Sequence, residues 1–261
     1  MCYDKAYLTK KKDFYANRIG NSSEEVNYLK EQLTKLNLQA TYHVSGFEHP
    51  LVPVITDTKK TIEAYSWGLI PSWIKTPVDA VKISNTTINA RAETMFEKPA
   101  FRGPARSQRC VVLVDGFFEH HHKNGKTFPY HIRLKNDAPM LLAGLWDEWN
   151  DPSTGITRRT YTIVTTKGNP TMARIHNNPK ASEGPRMPLI LPQGLAIDWL
   201  KPINDNVDKE LIETLIQPYD ENELETFTVK RLRGKEAIGN IPEALDSFRY
   251  PELEEIQGSL F

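Results

Sequence analysis

Cysteine is scarce in this sequence: among 261 residues there are two, Cys2 and Cys110. That excludes the disulfide framework of a small secreted scaffold. No apolar run approaches the roughly 20 residues that cross a bilayer as a helix. Cys2 has no apolar stretch beside it of the kind that opens a secretory signal or a lipid-anchored protein. A soluble protein of a reducing cytoplasmic compartment is expected, with no membrane partner. Net charge is missing too, with 33 basic side chains against 33 acidic ones, which argues against a uniformly basic nucleic-acid binder. There is no internal repeat and no low-complexity linker, so one domain spanning residues 1–261 is expected.

The charge that cancels overall is unevenly placed. Residues 1–203 carry 27 Lys and Arg against 19 Asp and Glu, whereas residues 204–261 carry 6 against 14. The first part fits a phosphate-binding face or an ordinary solvated surface. The second reads as an acidic C-terminal extension, and the stretch after Pro242 as a loosely packed tail.

"SSEEVNYLKEQLTKLNLQA" predicts a helix, because Ser22 and Glu25 have capping-box spacing and Val26, Leu29, Leu33 and Leu36 follow at helical period. "DNVDKELIETLIQP" predicts a second, stopped by Pro218. Between them lie short runs rich in Val, Ile, Tyr and Thr, from "VPVIT" and "TIEAYSWGLI" to "RCVVLVDGFFEHHH", "FPYHIRL", "MLLAGLWDEW", "RRTYTIVTT" and "MPLILP", with "FTVKRL" as a late strand. Asn124-Gly125 is a strong hairpin signal and places Glu119 on the strand entering the turn. The fold class expected is α+β, a mainly antiparallel, barrel-like sheet core with flanking helices.

Several residues carry chemistry. With Met1 removed, as is expected before a residue as small as Cys, position 2 holds an amine with pKa near 8 beside a thiol with pKa about 8.5. A 1,2-aminothiol traps aldehydes: the amine forms an imine and the thiol closes a five-membered thiazolidine. The bland alternative is an incidental terminal cysteine. In "NTTINARAETMF", Asn89, Arg91 and Glu93 alternate, so an extended chain points all three to one side; helix capping with solvated charges is the competing reading. In "DGFFE", a carboxylate beside aromatic rings suits Glu119 to general acid work. His120, His121 and His122 invite a metal, but strand alternation splits them, and no matching ligand pair exists elsewhere; no metal and no cofactor are expected. Cys110 reads as a buried structural thiol. Trp67 and Trp73 flank a Pro71 turn, and either fills a core or stacks on an unpaired base. His176 precedes a Pro/Gly-containing loop and exchanges protons near neutral pH.

The order of "MC", "WGLIPSW", "NARAET", "RCVVLVDGFFE", "AGLW", "TIVTT" and "IH…RMPLIL" resembles the SRAP family, the SOS response-associated peptidase-like proteins, over roughly residues 1–200. The resemblance implies an enzyme that recognises abasic sites in single-stranded DNA and crosslinks itself to the opened sugar aldehyde, with associated lyase chemistry. A monomer of the bacterial cytoplasm, nucleoid-associated when bound to DNA, is expected. Carried over by residue, Cys2 is the nucleophile, Asn89 orients the amine or the sugar, Glu119 moves protons, and His176 assists ring opening and reversal. Arg91, Arg186, Trp67 and Trp73 become DNA contacts.

Three departures stand out. Asp4 occupies a position where family members commonly carry a basic residue, which sets an acid against the DNA. His120 replaces the usual Trp after the catalytic Glu. Eight extra residues separate His176 from Arg186. Two other function classes remain open on the residues alone: a cysteine hydrolase that uses its own α-amine as base, and a DNA-binding module that uses only tryptophans and basic side chains.

Overall fold

The computed structural model describes residues 3–179 and 184–254. Cys2 therefore lies outside the described residues. In chain order the elements are β1 (Asp4–Tyr7), α1 (Lys12–Ile19), α2 (Ser23–Lys35), β2 (Thr41–Ser45), β3 (Leu51–Ile55), β4 (Ile62–Trp67), α3 (Pro77–Thr86) and β5 (Asn89–Arg91). They continue as α4 (Arg102–Ser107), β6 (Arg109–Val114), β7 (Gly116–Lys123), β8 (Lys126–Leu134), β9 (Met140–Asn150) and β10 (Thr157–Lys167). The last are α5 (Pro170–Ile175), β11 (Arg186–Pro188), α6 (Asn206–Thr214), β12 (Leu224–Thr228) and α7 (Pro251–Glu254).

The architecture is α+β and mainly antiparallel. One sheet runs in the order β12-β8-β7-β1-β2. In the other, β9 pairs with both β6 and β10, which closes β10, β4, β3, β6 and β9 into a barrel. Only the β10–β4 seam of that ring is parallel, and β5 adds a second parallel neighbour to β10. β6, "RCVVLV", is buried at every position, so its sequence shows no alternation. The helical turn Asp198–Leu200 is fastened to it, with Arg109 Nε donating to the Trp199 carbonyl at 2.7 Å. Cys110 is enclosed here, and burial pushes its thiol pKa up, away from reactivity.

Local signals explain most boundaries. Ser22 caps α2 by accepting from Glu25 N at 3.2 Å, but the Glu25 carboxylate reaches back to Asn21 N at 2.6 Å, one residue beyond the expected box. Asp205 caps α6 by accepting from Asp208 N at 2.9 Å. β7 and β8 meet across Asn124-Gly125, with φ of 51° and 72°, the pair of left-handed residues that a two-residue turn of this twist requires.

Two expectations are corrected. The late strand is Leu224–Thr228, earlier than "FTVKRL", because Val229 meets Pro129, which accepts its N–H at 3.0 Å but has none to give back. The expected loose tail after Pro242 is seated as far as Glu254; residues 255–261 lie outside the described residues. Ala244 and Tyr250 are buried, and the Tyr250 hydroxyl donates to the Val229 carbonyl at 2.9 Å. Ala244 joins Ala6, Phe118, Val229 and Leu232 in a small second core on the sheet containing β1 and β7. Glu243, Asp246 and Glu254 around these anchors are exposed, so composition alone reads the segment as a solvated tail.

Candidate functional site

Glu119 lies on β7 and His176 caps the C-terminal end of α5. Each is 8% exposed. Glu119 Oε2 is 3.8 Å from His176 Nδ1, and Oε1 accepts from His120 N at 3.0 Å. His176 Nδ1 also lies 3.1 Å from Arg186 N and 3.3 Å from the Arg186 carbonyl oxygen, so it meets the amide as an acceptor in one tautomer and the carbonyl as a donor in the other. A carboxylate and an imidazole from different elements thus lie side by side, both largely buried. That arrangement can shuttle a proton to and from a bound group.

Arg186 links this pair to β5. Its guanidinium forms a bidentate bridge to Glu93, 3.1 Å to Oε1 and 2.9 Å to Oε2, and donates to the Thr165 carbonyl at 2.7 Å. Glu93 in turn lies 3.9 Å from Arg91 Nε. Burial acts to raise the Glu93 pKa, but hydrogen bonding to Arg186 and the charges of Arg186 and Arg91 outweigh it and hold the carboxyl below its usual range. Asn89 and Arg91 pair with Ile163 and Thr165 of β10 and share one side of β5, while Ala90 between them is buried. Glu93 has left the strand for a helical turn, Ala92–Thr94, so the expected alternation ends at Arg91. Glu119 and His176 are thus linked through the Arg186 backbone and side chain to Glu93 and Arg91, with Asn89 on the same side of β5 as Arg91.

Two of the expected DNA contacts are corrected. Trp67 is fully buried, donates from Nε1 to the Ile88 carbonyl at 2.8 Å and stacks against Tyr161, so no base can reach it. Arg186 is 3% exposed with its guanidinium occupied, which makes it a clamp between β11 and Glu93 rather than a phosphate ligand. Trp73 is different: 51% exposed, it borders a shallow groove with Lys75, Lys82 and Thr86.

The expectation for Asp4 is corrected and Lys5 was missed by reading the sequence. Asp4 is buried rather than set against DNA: His43 Nε2 lies 3.1 Å from its Oδ1 and Arg233 bonds its other oxygen, so its charge is paired within the fold. Lys5 is fully buried, bonded to the Tyr161 hydroxyl, with Nζ 3.8 Å from the Trp67 ring centroid. The available signal was two charges side by side at the start of a buried four-residue strand. The histidine run does not converge: His121 faces the Arg174 carbonyl at 3.0 Å, and among the described residues no group of three His, Cys, Asp or Glu side chains could hold a metal. Among those residues, too, no helix is long and apolar enough to cross a membrane.

Comparisons with known proteins place the chain in a family. A family model described as SOS response associated peptidase (SRAP) matches residues 1–235. The Bacillus subtilis protein named abasic site processing protein YoqW is 36% identical over 208 residues, 79% of this chain and 86% of that one. Abasic site processing protein HMCES of Xenopus tropicalis is 35% identical over 162 residues, 55% of this chain and 46% of the longer relative. A crystal structure of a Bacteroides thetaiotaomicron protein superposes with a TM-score of 0.78 at 31% identity, covering 95% of this chain and all of that one. The family model over residues 1–235 and the Bacillus subtilis relative establish that the chain belongs to the SRAP family.

Proposed function

We propose that this protein processes abasic sites in single-stranded DNA by capturing the lesion covalently through Cys2. The observation that carries the reading is the largely buried Glu119–His176 pair, 3.8 Å apart, beside the Arg91-bearing strand. The relatives named for abasic site processing support the substrate. After removal of Met1, the Cys2 amine attacks the aldehyde carbon of the opened sugar, and loss of water gives an imine. The thiol then adds to the imine carbon, its proton passes to the nitrogen, and a thiazolidine closes. Glu119 delivers the proton that leaves with the hydroxyl, and His176 assists sugar opening and the reverse reaction. Asn89 orients the amine or the sugar, Arg91 meets a phosphate, and Trp73 stacks on a neighbouring base. The same imine acidifies the adjacent sugar C–H; its loss, with departure of the 3′ phosphate, is the lyase branch. The protein acts as a cytoplasmic monomer.

The test is incubation with a single-stranded oligonucleotide bearing one abasic site, on protein shown by intact mass to lack Met1. A heat-stable adduct is expected with the native chain and none with Cys2→Ala. A Met1-free native chain that forms no adduct overturns the reading. Cys2→Ser separates the hydrolase alternative: a hydroxyl retains some acyl transfer to amides or esters but closes no stable ring with an aldehyde. If Cys2→Ala leaves both DNA binding and its biological effect intact, the protein is a binding module instead.

A further inference from the structure

β7 has strands on both sides only over part of its length. β8 follows it through to Lys123, but among the described residues β1 covers the other edge only at Gly116, Phe117 and Phe118, because β1 begins at Asp4. In an antiparallel hairpin whose last pair is Lys123 with Lys126, the backbone groups of His122 point to the edge away from β8. On that edge the Asn177 side chain takes the place of a peptide unit. Its Oδ1 accepts from His122 N at 2.7 Å and its Nδ2 donates to the His122 carbonyl at 2.8 Å. Asn177 directly follows His176 and is the first residue of the stretch that separates His176 from Arg186.

We propose that Asn177 is a positioning residue: by pairing its carboxamide with both backbone groups of His122, it fastens His176 to the strand that carries Glu119. This rests on the proposed role of His176. The clip also separates His176 from the loop beyond it, so extra residues there leave the Glu119–His176 spacing undisturbed. A second tie, from His121 Nδ1 to the Arg174 carbonyl at 3.0 Å, holds α5 to the same strand, but only Asn177 adjoins the imidazole.

The experiment compares the native chain with Asn177→Ala and Asn177→Asp, each on abasic single-stranded DNA. Asn177→Ala is expected to slow crosslink reversal by about five- to tenfold while non-covalent DNA affinity and melting temperature stay at the native values. Asn177→Asp keeps the acceptor and loses the donor, so partial rescue is expected. Hydrogen exchange without DNA gives a second readout: the His122 amide exchanges faster in Asn177→Ala, and the His176 ring resonances broaden. A native reversal rate in Asn177→Ala, or unchanged protection of His122, overturns the proposal. Should even the native chain form no adduct, the functional reading fails, while exchange and ring order still decide whether Asn177 fastens His176.

Discussion

His131 on β8 lies between Phe118 and Phe227, with ring centroids 4.8 and 5.4 Å away. It is buried, and neither ring nitrogen has a hydrogen-bond partner among the described residues. Burial, reinforced by the charges of Arg133 and Lys10, pushes its pKa down to about 3. The unfolded chain accepts a proton on this imidazole near pH 6.5, which the folded state refuses until about pH 3. The folded state therefore loses stability as pH falls through that window, by on the order of 1 kcal/mol per pH unit. His131→Leu should flatten this part of the profile. Urea titrations of both proteins at pH 7.5, 6 and 5 check it, and an unchanged slope would sink the explanation.

β1 places two charged residues side by side in a four-residue buried strand. Such a strand holds its register only if both charges find partners inside the fold. Lys5 has the Tyr161 hydroxyl and the Trp67 face; Asp4 has His43 and Arg233. The Asp4–Arg233 pair joins the first strand to a segment near the other end of the chain, and so steadies the strand that follows Cys2. Arg233→Ala should destabilise the protein by about 1–3 kcal/mol, since the half-exposed guanidinium is partly screened but the carboxylate left behind is buried. Adding Asp4→Asn should recover part of that loss. A double-mutant cycle measured by denaturation gives the coupling, and strict additivity would show that the two side chains act independently.

At the scale of the whole molecule, the residues after 223 complete the sheet. β12 pairs with β8 from Leu224 to Thr228, and Val229, Leu232 and Ala244 cover Ala6 and Phe118. A chain ending at residue 223 leaves an unpaired strand edge beside an exposed apolar patch. It should melt at lower temperature and self-associate on warming, as scanning calorimetry and light scattering would reveal. A shortened chain that melts like the native one would mean that the residues after 223 contribute nothing to the fold.

Much of this was legible from neighbours in the sequence. Asn124-Gly125 set the hairpin, Ser22 marked the start of α2, and Glu119 lay on the expected strand, because turn, cap and period depend on residues a few positions apart. What tertiary structure alone decided were the choices between chemically equal residues and the partnerships over long separations. Trp67 and Trp73 are both tryptophans beside one proline turn, yet closure of the barrel buries the first and leaves the second outside. Arg186 turns inward to Glu93 across 93 residues, and Arg233 reaches Asp4 across 229. No local pattern encodes such pairs, because burial of a charge becomes favourable only when a distant strand delivers its counter-charge to the same place.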